Sequence, residues 1–378
     1  MAGIIRIINR IKLSNIGLVY SYVYLDKTSY KLDDVLYDLQ GNRFRIKSFA
    51  LIRRMDSEAT DYLKGGDLTL ENLDGADVSG SILLKEKGPI NFIFCNHPLY
   101  PRKVDEDYQE EYQTAGLNHP CALFSYEDLE SGKLSLYGEC VTGLTIYRGW
   151  MMKPQLYRLF YDKLKEKGII LINTPEEYEK YHMLPGWYED FKEDTAESVW
   201  DNDNTVESAI LLTTNLEGSY IVKDYVKSRK HEWHDACFIP QIKDKANAEK
   251  IIKNFITRQD DSLIGGVVLR KFENLKSIGY HEKSGMPISE EYRAFAFAGK
   301  VIVIDGYWTN EEKLNLSIKE LKWIDKCAGM LKSNFATIDL ARREDGKLII
   351  MELGDGQVSG LQQIDVNRFY DAFQNIMK

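Results

Sequence analysis

The stretch FATIDLARREDGKLIIMELGDG, residues 335–356, contains two apolar runs, and each run carries one acid among core-type residues. Asp345-Gly346 separates the runs, and Asp-Gly is favoured in two-residue hairpin loops, so the spacing predicts a β-hairpin. If this pair is the loop, Asp339 stands directly opposite Glu352, with Cβ atoms about 4.5–5.5 Å apart. Two carboxylates that close repel each other and raise each other's pKa. The hairpin therefore predicts that a cation lies between the two acids.

Few other charged residues lie within apolar, strand-like runs. They are Lys223 in YIVKDYV, Arg270 and Lys271 in VVLRKFE, and Glu291 and Arg293 in EEYRAFAF. Burying a charge in a strand is costly unless the charge is paired or contacts a ligand. A polyphosphate with a divalent cation would satisfy these cations and the hairpin acids together, because Mg²⁺ binds one or two carboxylates plus substrate phosphates.

Composition limits the class of protein. The 378 residues carry a formal charge of −9, which argues against a chain-wide polyanion-binding surface. The five cysteines are odd in number, widely spaced and without a CxxC pair, a pattern typical of reduced thiols in a cytoplasmic protein. The apolar N-terminus is interrupted by Arg6, Arg10 and Lys12, so we expect folded chain there, neither a signal peptide nor a membrane span.

The pattern of apolar residues divides the chain. Residues 1–88 have short apolar runs broken by Gly and Asp turns, which predicts a small β-rich, barrel-like accessory domain. The segment from FRIKSFALI to SGSILL in this part is similar to the barrel domain of translational GTPases. Residues 89–175 alternate strands and helices, which predicts an α/β domain. The helix in PQLYRLFYDKLKEKG places four apolar residues at i, i+3, i+4 and i+7.

Residues 140–361 resemble an ATP-grasp ligase, and in detail the clade of that superfamily named for two arginines and one lysine. The matching segments, in chain order, are YRGWMMKPQLYRLFYDKLKEKGIILINTPEEYEKYH, YIVKDYVKSRKHEW, GVVLRKFENL, EYRAFAFAGKVI and IDLARREDGKLIIMELGDG. The resemblance implies an α+β ATP-grasp fold, with residues 89–175 as the α/β pre-ATP-grasp domain and residues 176–378 as the nucleotide-binding and catalytic domain. It also implies an ATP- and Mg²⁺-dependent ligase that activates a carboxylate as an acyl-phosphate for attack by an amine or thiol.

The resemblance assigns the nucleotide contacts to two strands and one loop. Lys223 would contact the ATP phosphates, and residues 226–233 would cover them. The hinge along the adenine would consist of Arg270, Lys271, Phe272 and Glu273, with the backbone of Lys271 and Phe272 at the adenine edge and Glu273 towards the ribose.

The resemblance also implies the catalytic and metal-binding residues. Arg293 would steady the γ-phosphate or the acyl-phosphate, and Arg148, in IYRGW, would contact the acceptor substrate. Asp339 and Glu352 would hold Mg²⁺, with Asp355 as a possible further ligand. The partners would be a small-molecule or peptide carboxylate and an amine or thiol acceptor, with no membrane.

Two departures from the family pattern leave alternatives open. Many ATP-grasp proteins have Glu-x-Asn at the second acid, whereas Gly354 stands in the Asn position here. An earlier nucleotide-contacting lysine is also usual, and only Lys180 or His182 is near the matching place. The alternative function is a nucleotide-binding regulatory or RNA-associated module with a degenerate site. In the alternative structural reading, the two acids form ion pairs with Arg342 or Lys223, and Arg148 stacks on Trp150.

Overall fold

The computed structural model of the chain describes residues 3–50, 65–139, 141–280, 287–308 and 315–376. Its N-terminal part is a closed barrel with the strand order β1-β2-β5-β4-β3-β6, as predicted. The strands are β1 (Ile4–Leu13), β2 (Gly17–Tyr24), β3 (Val35–Asp38), β4 (Arg43–Ala50), β5 (Gly65–Asn72) and β6 (Ile82–Leu84).

The second part is an α/β unit that begins at Asn91, just after the predicted boundary. Its elements are β7 (Asn91–His97), β8 (Tyr100–Val104), α1 (Gln109–Ala115), β9 (Cys121–Phe124), α2 (Tyr126–Glu130), β10 (Leu136–Gly138), β11 (Gly143–Arg148), α3 (Pro154–Glu166) and β12 (Ile169–Leu171). Strands β9, β7, β11 and β12 are parallel neighbours. The predicted apolar face of α3 is buried, which confirms the helix.

The third part contains two four-stranded sheets, with strand orders β13-β16-β14-β15 and β20-β19-β21-β22. The first sheet and the helices around it comprise α4 (Pro175–His182), α5 (Leu184–Phe191), β13 (Ser198–Trp200), α6 (Val206–Leu212), β14 (Tyr220–Asp224), α7 (Trp233–Ala236), β15 (Phe238–Ile239), α8 (Lys245–Gln259) and β16 (Val267–Lys271). The rest comprises β17 (Ser277–Tyr280), β18 (Pro287–Ser289), β19 (Glu291–Phe297), β20 (Lys300–Gly306), α9 (Ile318–Met330), β21 (Phe335–Arg342), β22 (Leu348–Asp355) and α10 (Val366–Ile376). None of the helices in the described ranges is both long and apolar enough to span a membrane.

The β21–β22 hairpin has the predicted pairing but a different loop. The Arg343 amide donates to the Lys347 carbonyl at 2.9 Å, so three residues form the loop, and the predicted two-residue loop is wrong. Gly346, the last of the three, has φ 85°, which suits the left-handed position of such loops. A register shift at Met351 adds one residue to β22, and Asp339 therefore still faces Glu352 as predicted.

Buried polar contacts fasten the barrel to the end of β12, to α4 and to the start of β21. Arg6 on β1 is 4% exposed and donates to Glu177 at 3.1 Å and to the carbonyls of Leu171 and Ile172. Asn334, which directly precedes β21, accepts from the Ser81 amide at 2.7 Å and donates to the Ser81 hydroxyl at 2.8 Å. Apolar residues of the barrel also belong to the same hydrophobic core as β7 and β19. The barrel is therefore packed into the body of the protein.

Replacing Arg6 by Met is expected to lower the free energy of unfolding by about 3–5 kcal/mol, because Glu177 would keep a buried charge without its partner. Urea unfolding followed by circular dichroism measures this loss. Arg43→Gln is the matched control, since the Arg43–Asp74 pair lies at the barrel surface and should contribute little. Equal midpoints for the two variants would show that the buried contact does not stabilise the fold.

Candidate active site

A cleft of about 510 Å³ lies between the two four-stranded sheets. One wall carries residues of β14 and β16, and the other carries residues of β19, β21 and β22. Among the residues predicted from the sequence, the cleft is lined by Lys223, Arg270, Lys271, Phe272, Glu273, Asp339 and Glu352. The structure therefore brings the predicted nucleotide and metal residues, apart from Asp355, to one cavity.

The two hairpin acids are each paired with a cation from a neighbouring strand. Arg293 lies opposite Asp339 on β19 and donates to both of its carboxylate oxygens, at 2.7 and 2.6 Å. Lys223 reaches across the cleft, and its Nζ lies 3.1 Å from Oε1 of Glu352. The cations thus flank the acids instead of separating them. Arg342, the other partner considered for the acids, pairs with Glu290 at 2.6 Å.

Burial and these cations set the protonation of the acids. Burial raises the pKa of Asp339, and the Arg293 guanidinium only partly opposes this effect. Burial also acts to raise the pKa of Glu352, but Lys223 and Lys230 outweigh it and lower that pKa. The mutual repulsion expected from the sequence is therefore a secondary effect. Glu352 is held as a carboxylate, which is the form that binds a divalent cation.

Further cations face the same cavity. Lys230, an exposed residue of the segment predicted to cover the phosphates, lines the cleft, and the carboxylates of Glu291 and Glu352 raise its pKa. Arg270 is buried and donates through Nη2 to Thr195 at 2.9 Å. Its Nη1 has no hydrogen-bond partner among the described residues. A buried donor left in this way on a cleft wall is suited to an anionic ligand.

The segment 226–233 is held to the smaller sheet by its own contacts. The Asp224 carboxylate accepts from the amides of Val226 and Lys227, at 2.7 and 2.5 Å. Arg229 pairs with Glu232, so its positive charge is balanced. This arrangement still brings Lys227, Ser228 and Lys230 to the cleft, as a phosphate-covering segment requires.

The hinge residues reach the cleft, but their amides are already used. The amide of Lys271 donates to Glu197 and that of Phe272 to Ser219, both at 2.8 Å. The Phe272 ring packs against Trp233 and Phe238. These amides are therefore not free to donate to an adenine, and this part of the predicted hinge role would need other backbone groups. Glu273 lines the cleft and lies 3.6 Å from Arg343.

Some lining residues were not predicted from the sequence. Met351 and Glu352 are consecutive, yet both line the cleft, although neighbouring strand residues normally point to opposite faces. The bulge at Met351 explains this arrangement. Tyr280, Tyr307 and Trp233 add aromatic surface to the same cavity. No spacing rule marks these residues, because they come from separate segments.

Asp355 lies outside the cleft. It is 1% exposed and accepts from Asn173 Nδ2 at 2.6 Å and from the Gln357 amide at 2.9 Å. Burial raises its pKa to about 7 despite these donors. Asp355 stands three positions after Glu352 on β22, an odd offset, so the two side chains point to opposite faces of the sheet. The structure does not bring Asp355 to the other two acids.

Arg148 also lies outside the cleft. Its side chain is fully buried, and it donates to both carboxylate oxygens of Glu111, at 2.8 and 2.9 Å. It further donates to the carbonyls of Gly356 and Ser359, at 2.6 and 2.8 Å. The guanidinium thus holds the turn that follows β22. The guanidinium lies over the rings of Phe295 and Phe369, not over Trp150, and the contact with an acceptor stays a prediction.

The two residues considered for the early lysine do not line the cleft. Lys180 pairs with Asp190 at 2.6 Å. His182 is buried beside Tyr178, and this burial lowers its pKa to about 4, so the ring is neutral. The cations of the cleft therefore come from the two sheets and the covering segment.

Replacing Lys223 by Met is expected to weaken ATP binding about ten- to a hundredfold, which corresponds to the roughly 1.5–3 kcal/mol of a charged hydrogen bond. Titration of a fluorescent ATP analogue measures the dissociation constant. Lys180→Met is the matched control, because its ammonium group lies away from the cleft and binding should not change. Equal weakening by both substitutions would contradict the assignment of Lys223 to the phosphates.

Comparison with known proteins gives the family of this domain. Residues 213–373 match the model of an ATP-grasp domain, family 3 of the clade named for two arginines and one lysine. D-cycloserine synthetase DcsG has a similar fold, with a TM-score of 0.50 and 12% identity over 77% of this chain and 100% of that one. For the ATP-grasp ligase PsnB, complexed with precursor peptide PsnA2 and AMPPNP, the TM-score is 0.49 and the identity 12%, over 78% of this chain and 98% of that one. For D-alanyl-alanine synthetase A from Vibrio cholerae O1 biovar eltor, the TM-score is 0.48 and the identity 11%, over 76% of this chain and 97% of that one. No curated protein matches this chain in sequence.

The fold and the cleft are those of an ATP-grasp protein, as the resemblance predicted. The part of the chain that matches family 3 of the two-arginine, one-lysine clade, residues 213–373, contains β14, β16 and the β21–β22 hairpin of the cleft. ATP and Mg²⁺ are the cofactors of this class, and the residues present fit them. Asp339 and Glu352 offer the hard oxygen ligands that Mg²⁺ prefers. The unpartnered nitrogen of Arg270, within the described part of the chain, and the ammonium of Lys223 suit phosphate oxygens.

Proposed function

We propose that this ligase activates a carboxylate as an acyl-phosphate and transfers the acyl group to an amine or thiol. A carboxylate oxygen of the donor attacks the γ-phosphorus of ATP, and the bond to ADP breaks. The acceptor nitrogen or sulfur then attacks the acyl carbon, inorganic phosphate leaves, and the acceptor loses its proton. The donor is a small-molecule or peptide carboxylate.

One observation carries this proposal: a row of charged side chains runs from one wall of the cleft to the other. Arg293, Asp339 and Glu352 are cross-strand neighbours on β19, β21 and β22, and Lys223 meets Glu352 from β14. We call these four residues the charge row. Such an arrangement of fixed charges can stabilise the charge that develops on a transferred phosphoryl group.

Each member of the charge row has a distinct part in the proposal. Mg²⁺, when bound, neutralises charge on the phosphoryl group. Asp339 and Glu352 would hold it, and Lys223 would turn from Glu352 to the phosphates. Arg293 orients Asp339 through two hydrogen bonds and fixes the turn at Gly360 through a third, at 2.8 Å. No nucleophilic side chain of the protein is needed.

Trapping with hydroxylamine tests the acyl-phosphate. The protein is incubated with ATP, Mg²⁺, hydroxylamine and a panel of amino acids and dicarboxylates, and ADP and hydroxamate are both measured. Equal amounts of ADP and hydroxamate, absent with Glu352→Gln, would support the proposal. Magnesium-dependent ADP release without hydroxamate from any carboxylate would contradict the acyl-phosphate. Nucleotide binding without turnover would favour the regulatory alternative.

A further inference from the structure

The position that follows the second acid on the cleft face has no room for a side chain. Gly354 lies two residues after Glu352, on the same face of β22, and opposite Thr337 on β21. A Cβ atom at Gly354 would lie 2.6 Å from the Thr337 hydroxyl oxygen and 2.9 Å from that of Ser359. Contacts that short are not tolerated between fixed atoms. An amide or carboxylate ligand therefore cannot extend from this position without moving both neighbours.

The two hydroxyl groups that fill this space are bonded to each other. Their oxygens are 2.9 Å apart, and the Ser359 hydroxyl also donates to the Asp355 carbonyl at 2.9 Å. Arg148 fixes Ser359 by donating to its carbonyl at 2.8 Å. The space next to Glu352 is thus occupied by neutral groups that bond to each other and to the backbone. Carboxylate, carbonyl and water oxygens are the usual ligands of Mg²⁺, and none comes from these side chains.

No other acid in the described part of the chain replaces the missing ligand. Asp355 points to the opposite face of β22 and is bonded to Asn173 and Gln357. Within the described residues, no group of three or more His, Cys, Asp or Glu side chains is placed to hold a metal ion. Glu273, Glu291 and Glu344 also line the cleft, but none of them joins Asp339 and Glu352 in such a group. Two carboxylates facing each other suit one shared ion.

We propose that this enzyme binds ATP with a single divalent cation, shared by Asp339 and Glu352. The inference rests on the ATP-dependent function proposed above. A second ion would need a ligand two residues after Glu352, and Gly354 occupies that position here. The hydroxyl pair of Thr337 and Ser359 is the feature that excludes that second ion.

Counting bound Mn²⁺ tests the proposal without measuring activity. The protein is saturated with AMPPNP, Mn²⁺ is titrated in, and free Mn²⁺ is followed by electron paramagnetic resonance. We expect one Mn²⁺ per bound nucleotide. Two ions per nucleotide would overturn this inference and leave the ligase function standing. Failure of AMPPNP to bind at all would overturn both.

Substitutions sharpen this count. Because one ion is shared, Asp339→Asn and Glu352→Gln should each weaken all Mn²⁺ binding by at least about tenfold. If each variant instead lost one of two ions, the proposal would be wrong. Asp355→Asn is the matched control and should keep one ion at unchanged affinity. Circular dichroism checks that each variant is folded, and the wild-type count remains decisive if one is not.

Discussion

Asp339→Asn is expected to lower magnesium-dependent ATP turnover by about a thousandfold, because the ion contributes several kcal/mol to the transition state. The same substitution should lower the free energy of unfolding by about 3–5 kcal/mol, since Arg293 is buried and would lose the carboxylate that accepts two of its hydrogen bonds. Steady-state ADP release and urea unfolding measure the two effects. If the two hairpin acids only repelled each other, Asp339→Asn would instead raise the free energy of unfolding, because it would relieve that repulsion.

Glu352→Gln separates the two effects. It should reduce turnover as strongly as Asp339→Asn but lower stability less, because the Glu352 side chain is 44% exposed, although that of Lys223 is 11% exposed. Asp355→Asn should show the reverse, with lower stability and turnover close to that of the wild type. Wild-type turnover in Asp339→Asn would show that this carboxylate does not hold the ion.

Arg148→Met is expected to lower the free energy of unfolding by about 3–5 kcal/mol. The guanidinium is fully buried, and its loss would leave the Glu111 carboxylate with a buried, unpaired charge. Adding Glu111→Leu should restore part of the stability, because the remaining charge is then removed as well. Urea unfolding of the two variants and the wild type measures this coupling.

The competing assignment makes a different prediction for the same variant. If Arg148 contacted the acceptor substrate, Arg148→Met would keep the stability of the wild type and raise KM for the acceptor. That outcome would contradict the structural role. Tyr370 also donates to Glu111, at 2.8 Å, so the pair belongs to a small buried network.

The alternation of apolar and charged residues was sufficient to predict the barrel and the α/β unit. The facing of Asp339 and Glu352 was predicted from a two-residue loop, and it holds because the three-residue loop and the bulge at Met351 offset each other. Lys223 and Glu352 were assigned to one site from their family positions, and they lie 3.1 Å apart. These predictions depend on the periodicity of apolar residues and on the order of the matching segments, and a single sequence displays both. The pairing of Arg293 with Asp339 follows from strand neighbours 46 residues apart, and no local pattern marks it.

Two residues lie away from the cleft to which they were assigned, and both placements have physical reasons. The sequence does not reveal the partners of Arg148. They are Glu111 and carbonyls more than 200 residues further along the chain. Asp355 was grouped with Glu352 by proximity in sequence, although an odd spacing in a strand separates the faces. Met351 reaches the cleft only through a bulge. Bulges depend on the partner strand, so apolar periodicity does not reveal them.

The bulge at Met351 separates the register of the hairpin tip from the register of the acids. On the tip side of the bulge Leu340 pairs with Ile350, and on the other side Asp339 pairs with Glu352. Removing Met351 would therefore join these two pairs into a regular ladder and leave the acids opposite each other. The length of the strand at this point can change by one residue without moving either carboxylate to the wrong face. The register of the hairpin tip is accordingly independent of the register of the two acids.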